Sequence, residues 1–348
     1  MLMTPGPTSV PDPVREAMSR ELINPDVESE FNELYARVCE KLADVYGTDD
    51  QVIVTGGEGI LGLESAIACL VDADTDVLCL SNGLYGDGFA DFVENYGGTP
   101  TVVGTDYDTE LALSELDDAL AAGDYDVATL VHCETPTGAL NDIEPALERL
   151  HDHGAVTILD AVSSLGGVPV PTENVDVCLG ASQKCFSAPP GLAIASISER
   201  AWERKEAIDP DSLYTNFLPW RDTSEGFPYT HLSTNVVALD VALDRILEEG
   251  LDTVYERHRT AASRCRERGS DIGLELFAGP ERSSPTVSAF HVPGRAADLQ
   301  ATLDEQYDIT LATGLGPLAD DVIRVGHMGY QADTELVERT MDALAETV

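Results

Sequence analysis

Basic side chains are scarce in this sequence: Lys and Arg together number 20 against 63 Asp and Glu, a formal net charge of -43. A surface of that sign repels nucleic-acid phosphates and anionic lipid, so neither a nucleic-acid partner nor a membrane role is expected. Cysteine is sparse and unpatterned. The seven, from Cys39 to Cys265, are odd in number and include no Cys-x-x-Cys pair, which argues against a disulfide framework and for a reducing, cytoplasmic compartment. No apolar run approaches the ~18 residues of a membrane helix. The opening residues, Met1-Leu2-Met3-Thr4-Pro5-Gly6, carry neither a basic stretch nor a sustained apolar one. His132, Glu134, His151, His153, His231 and His327 offer no His-Glu-x-x-His and no three-ligand spacing, so no metal is expected.

What is present is a large apolar fraction, 43% of 348 residues, enough for a sizeable core. The acidic residues do not gather in a tail. They recur throughout, as in Asp72, Asp74 and Asp76 or Asp117, Asp118 and Asp124, and this composition resembles the acidic proteome of salt-loving archaea. Salt at about 1 M cuts the Debye length to about 3 Å and would relieve the self-repulsion.

Short apolar runs alternate with helix-like stretches along most of the chain. Strand-like runs are 52–55, 77–80, 101–103, 127–131, 156–159, 175–179 and 191–197. Helix-like ones are 28–46, stopped by Gly47, then 60–70, 84–96, 113–122 and 144–153. Such alternation predicts an α/β fold with a mostly parallel sheet covered on both faces. Residues 1–13 read as an irregular arm and 234–260 as a helix. The division expected is 1–240 for the arm and large domain and 241–348 for a smaller α+β domain, with strands at 286–291, 308–312 and 321–325 and a final helix from Asp333. Ligands in open α/β sheets bind beyond the C-terminal ends of the strands. Polar segments follow the apolar runs at Gly57–Gly59, Asn82–Tyr85, His132–Gly138, Asp160–Ser164 and Ser182–Lys184, five loops that could share one site.

Lys184 lies beyond a strand, among small residues, in a chain poor in lysine. It is either a surface lysine in a turn or, in a desolvated pocket, an amine able to form an imine. Asp160 ends an apolar strand. It is a helix cap, or an acid partner for a pyridine nitrogen that keeps the ring an electron acceptor. Gly56-Gly57-Glu58-Gly59 joins a strand to a helix, where backbone N–H groups and the helix dipole can hold phosphate. It has neither the Gly-Lys-Ser/Thr of a Walker loop nor the length of a dinucleotide fingerprint. Tyr85 could stack on an aromatic ring or simply fill space. Arg324, inside the apolar run Val322-Ile323-Arg324-Val325, needs an anion: a substrate carboxylate held bidentately, or a structural salt bridge. Cys185, beside Lys184, reads as buried filler.

These segments together resemble the class V pyridoxal-phosphate aminotransferases, most closely the alanine–glyoxylate or serine–pyruvate group. The matching pieces run in order from Thr4-Pro5-Gly6-Pro7-Thr8 and Gly57-Glu58-Gly59 through Asn82-Gly83-Leu84-Tyr85-Gly86 and His132-Cys133-Glu134-Thr135-Pro136-Thr137-Gly138. Asp160-Ala161-Val162-Ser163-Ser164, Gln183-Lys184, Tyr229-Thr230 and Arg324-Val325-Gly326-His327-Met328-Gly329 complete the set.

The resemblance implies a fold type I enzyme with a seven-stranded sheet and pyridoxal 5′-phosphate as cofactor, a homodimer with active sites at the subunit interface. It implies that Lys184 carries the cofactor as a Schiff base, Asp160 pairs with the ring nitrogen and Tyr85 stacks where many relatives have tryptophan. Thr135 and Ser163 then lie near the ring hydroxyl. The Gly57 to Gly59 loop, chiefly the Gly59 backbone, and the Gln183 side chain hold the phosphate, with Thr230 reaching it from the neighbouring subunit. Arg324 holds the substrate carboxylate and Gly6 lines the substrate pocket. Alanine or serine is the implied donor and glyoxylate or pyruvate the acceptor.

Two positions depart from the pattern. Glu58 stands where many relatives have serine, and Ile60 where they have histidine or threonine. A glutamate beside a dianionic phosphate is repulsive, so its side chain is expected to point away or to meet a cation or proton. Two rivals stand beside the aminotransferase reading: a cysteine desulfurase, which needs a mobile nucleophilic cysteine, and a phosphate-binding scaffold without catalysis. For the first, the last hundred residues offer only Cys265, in the helical Arg264-Cys265-Arg266.

Overall fold

The structure, a computed structural model, describes residues 1–208 and 212–348. After α1 (Asp12–Ala17) and α2 (Ser29–Tyr46), strands and helices alternate as the apolar runs predict. They are β1 (Gln51–Gly56), α3 (Gly59–Leu70), β2 (Asp76–Ser81), α4 (Leu84–Asn95), β3 (Thr99–Gly104), α5 (Leu113–Ala122) and β4 (Val127–Val131). A two-residue hairpin, β5 (Cys133–Glu134) and β6 (Ala139–Leu140), precedes α6 (Glu144–His153), β7 (Val156–Asp160), β8 (Val177–Ala181), β9 (Leu192–Ile197) and α7 (Glu199–Ala207). Gly47 closes α2 in the left-handed conformation, as its position suggests.

Seven strands form one sheet in the order β1-β9-β8-β7-β4-β2-β3. It is mostly parallel; β9 alone runs antiparallel to both its neighbours. Strands β4, β7 and β8 are buried at every residue, which explains their unbroken apolar runs: helices cover both faces.

The C-terminal part begins with α8 (Ser233–Glu249) and α9 (Leu251–Asp271). The single helix expected over 234–260 is two, because Gly250 takes φ 83° and ψ 134° and ends α8 there. A four-stranded antiparallel sheet follows, with β10 (Glu275–Leu276), β11 (Val287–His291), β12 (Ala312–Thr313) and β13 (Val322–Gly326) in the order β10-β11-β13-β12. Helices α10 (Ala296–Tyr307) and α11 (Thr334–Thr347) accompany it. The strand expected at 308–312 shrinks to two residues because Thr310 pairs with the N-terminal arm instead, through a parallel bridge to Leu2.

The apolar interior falls into a large cluster around the seven-stranded sheet and a smaller one around the four-stranded sheet. Residue 240 lies inside α8: Ala242, Leu243 and Ile246 beyond it still pack in the large cluster, whereas Met3 of the arm packs in the smaller one. The arm thus lies against the smaller sheet and passes over the C-terminal ends of the parallel strands.

Candidate active site

All five polar loops meet. A pocket with about 310 Å³ of empty space, part of it open to solvent, is lined by Glu58 and Gly59, Tyr85, Thr135, Asp160 with Ser163, and Lys184, and further by Ile60, Leu63 and Val162. The parallel strands place their C-terminal ends side by side, so residues remote in sequence arrive within one opening.

Lys184 comes off the loop after β8. Its Nζ donates to the Pro5 carbonyl at 2.9 Å, which ties the amine to the N-terminal arm. Its pKa is lowered, first by desolvation and next by the positive Arg324, against the opposing pull of Asp160. Gly6 must be glycine here: φ is +100°, and a Cβ would stand 2.5 Å from Lys184 Cδ. Asp160, the last residue of β7, is buried, and its Oδ1 accepts from the Val162 N–H at 2.9 Å. Burial raises its carboxyl to about 6, although Val162 and Lys184 both favour the anion. The Thr135 and Ser163 hydroxyls are hydrogen-bonded to each other.

Tyr85 opens α4, with its backbone N–H and that of Gly86 donating to Glu134 at 3.2 and 2.7 Å. In the sequence Glu134 stands out only as a rejected metal ligand and as part of the His132–Gly138 match, with no role of its own. It is fully buried beneath this turn and raised to about 7 by desolvation. The signal for it was a carboxylate in a loop straight after a buried strand. Tyr85 itself is half-buried; desolvation raises its pKa, and Asp160 adds to the rise while Arg324 opposes it.

Arg324 sits in the middle of β13, 6% exposed. Its Nε donates to the Thr313 carbonyl at 2.7 Å and an Nη to that of Thr135 at 3.3 Å. Among the described residues no carboxylate pairs with it, so the structural salt bridge is not what this arginine makes. Desolvation lowers it to about 10.

At the opposite side Glu58 pairs with no lysine or arginine among the described residues. It caps α3, its Oε2 accepting from the Ile60 N–H at 3.0 Å, and its Oε1 accepts from the Gln183 amide. An acid at the N-cap satisfies an otherwise free helix N–H, and the helix dipole favours the charge. Gly57 directs its own N–H to Gly191 at 2.8 Å, so that donor is used within the fold. Thr230 is not brought to the cavity of this chain; it is exposed and donates to Asp26 at 2.7 Å. Cys185 is buried filler, its thiol pushed up to about 12. Cys265 lies inside α9 with its Sγ 3.7 Å from Met341, the opposite of a mobile loop.

Residues 1–334 match the family described as aminotransferase class-V. The chain belongs to that family. It is a transaminase that depends on pyridoxal 5′-phosphate. An uncharacterized aminotransferase of Methanocaldococcus jannaschii is 34% identical, over 97% of this chain and 90% of its own length. The pyridoxamine–pyruvate transaminase of Mesorhizobium japonicum is 30% identical, over 95% and 86%. The crystal structure of an alanine–glyoxylate aminotransferase from Nostoc sp. superposes with a TM-score of 0.95 at 28% identity, covering 99% of this chain and 94% of that one.

The cavity fits the ring end of that cofactor: an amine, a buried carboxylate, a half-buried tyrosine and a pair of hydroxyls surround one space. At the phosphate end the α3 N-terminus and the Gln183 amide are suitable donors, but the Ile60 N–H and that amide are both engaged by Glu58. The phosphate would fit there with the exposed Glu58 side chain turned aside.

Proposed function

We propose that the chain moves an amino group between a small amino acid, alanine or serine, and a small 2-oxo acid, glyoxylate or pyruvate. The observation that carries the reading is the enclosed Lys184 amine, with its pKa lowered, in one cavity with Asp160 and beside an arginine that has no carboxylate of its own. The alanine–glyoxylate aminotransferase of Nostoc and the pyridoxamine–pyruvate transaminase of Mesorhizobium, with alanine, glyoxylate and pyruvate in their names, support the substrate class.

Bound pyridoxal phosphate supplies an aldehyde carbon that takes up the amino group and a ring that draws off the electron pair left at the substrate Cα. Lys184 would hold that carbon through Nζ and, once displaced by the substrate amine, act as the base that takes the Cα proton and returns it. A neutral amine is needed for both tasks, and desolvation favours it. Asp160 would keep the ring nitrogen protonated. Tyr85 would stack on the ring, and Thr135 and Ser163 would lie at its hydroxyl. Gly59 and Gln183, with the Gly57 to Gly59 turn, would hold the phosphate, and Thr230 would reach it across the twofold of a homodimer. Arg324 would fix the substrate carboxylate, and Gly6 would line the pocket for the small substrate. The chain would divide into 1–240, the arm and large domain, and 241–348, the smaller domain, with the rest of α8 and Val254 of α9 packing on the large apolar cluster.

Borohydride reduction in the presence of the cofactor should fix it to the peptide containing Gln183-Lys184-Cys185, located by mass analysis. A label on another lysine would reassign the site. The surface supports a further part of the same reading, a salt-rich cytoplasm: with a net charge of -43, the unfolding midpoint should rise between 0.1 M and about 2 M KCl as screening takes hold. An unchanged or falling midpoint would remove that part alone.

A further inference from the structure

The end of the Lys184 side chain is set by the backbone of the N-terminal arm. Its Nζ donates to the Pro5 carbonyl at 2.9 Å. A Cβ on Gly6 would stand 2.5 Å from Cδ and 2.8 Å from both Cε and Nζ, so the lysine lies against residues 5 and 6 along its last three atoms. A neutral amine has two N–H groups and one lone pair. With one N–H spent on a fixed carbonyl, rotation about the Cε–Nζ bond is restrained, and so is the direction in which the lone pair faces.

That carbonyl is fixed only if the arm is. Residues 4 to 9 form neither helix nor strand, so their place depends on what surrounds them. One side chain binds this stretch at both ends. Gln331, fully buried, accepts from the Ser9 N–H through Oε1 at 2.6 Å and donates through Nε2 to the Thr4 carbonyl at 3.0 Å. The same Nε2 donates to the Gly326 carbonyl at 2.9 Å, which anchors the clasp to the end of β13. Gly326 admits the arm, because a Cβ there would collide with the Thr4 backbone. Thr8 adds a tie from inside the stretch, its N–H donating to the Gln183 carbonyl at 3.0 Å and its hydroxyl to that of Lys184 at 3.1 Å. Gln331 itself does not line the cavity.

We propose that Gln331 is a positioning residue for the proton transfer: by clasping Thr4 and Ser9 it holds the Pro5 carbonyl where it aims the Lys184 lone pair. When the substrate amine displaces Lys184, one N–H of the freed amine rests on Pro5. The lone pair then takes the Cα proton, and the electron pair of the broken C–H bond passes to the cofactor ring. Gln331 acts only through the arm. The inference rests on the reading of Lys184 as the amine that moves this proton.

Gln331→Met keeps the length of the side chain and removes all three bonds, whereas Gln331→Glu keeps an acceptor for the Ser9 N–H and loses the donor to two carbonyls. Circular dichroism checks that each is folded. Hydrogen exchange in the cofactor-stripped protein should show the amides of residues 8 and 9 opening faster in the variants. In single half-reactions the limiting rate constant at saturating alanine should fall at least about tenfold, since small misplacements of reacting groups have effects of that order. The half-saturating alanine concentration should hold, and α-deuterated alanine should react more slowly than ordinary alanine. Unchanged exchange in the folded variants overturns the proposal. So does a lower amplitude with an unchanged rate constant, which is what a purely structural role gives, or a loss confined to alanine affinity, or a slowed rate with no isotope effect. If neither variant folds, wild type decides with 2-methylalanine, which displaces Lys184 but has no Cα proton to yield. Residues 8 and 9 should then stay as protected as before its addition, and faster exchange overturns the clasp. Borohydride trapping on another lysine would instead fail the reading of Lys184, whereas trapping on Lys184 with a normal rate constant in the variants removes only the role of Gln331.

Discussion

Arg324 and Arg268 are the same side chain under opposite conditions. Arg268, on α9, bonds Glu338 and lies 2.7 Å from Asp342 of α11, in an open surface network with Arg264 and Glu267. Arg324 is buried in β13 and, among the described residues, bonds only carbonyl oxygens. The surface hollow beside that network is far larger than the central cavity, about 1050 Å³ of open space against 310 Å³, yet it holds no buried polar group waiting for a partner. A charge paired in water has already found its counter-ion. A charge held in the protein without one is poised for a ligand, and that is the difference between decoration and site.

Substitution should separate the two regions sharply. Lys184→Ala is expected to have the largest effect: loss of a positioned base typically costs about 10²–10⁴-fold, and loss of the covalent carrier adds to it. Single half-reactions with alanine would measure this, and near-normal turnover would overturn the assignment. Arg324→Ala should weaken the amino-acid substrate by about 2–5 kcal/mol while leaving borohydride trapping on Lys184 intact, because its partner is the substrate. Unchanged affinity would pass the carboxylate role to another residue.

Glu134 tests burial without direct chemistry. Its folded carboxyl, raised to about 7, binds a proton more tightly than in the unfolded chain, so it stabilises the acid form and its contribution is lost as pH rises from about 4.5 through 7. In the cofactor-stripped protein, Glu134→Gln should remove a pH-dependent part of stability on the order of 3 kcal/mol at most across that window. Parallel unfolding curves for wild type and variant would show that the carboxyl is not shifted. The smallest effect belongs to the surface: Arg268→Ala should leave the unfolding midpoint nearly unchanged and the kinetics untouched. A loss as large as that at Arg324 would erase the contrast.

The alternation of apolar runs with helical stretches was legible because it is local. Strands β4, β7 and β8 are buried on both faces, and such strands must be apolar at each position. The five polar loops could be read as neighbours for the same reason, since parallel strands deliver their C-terminal ends to one side. The break in the α8–α9 stretch escaped because an apolar pattern can continue across a glycine whose φ turns the chain.

By itself the sequence determined the layer order, the glycine at residue 6 and the residue types gathered at the strand ends. Only the tertiary structure decided what those residues meet. It placed Glu134 beneath the Tyr85 turn and gave Arg324 no carboxylate among the described residues. It also folded Glu58 back onto Gln183, which lies on a different loop. The physical reason is that propensity and periodicity act between neighbours along the chain. Desolvation and hydrogen-bond pairing depend instead on which distant groups share a cavity, and no local pattern records that.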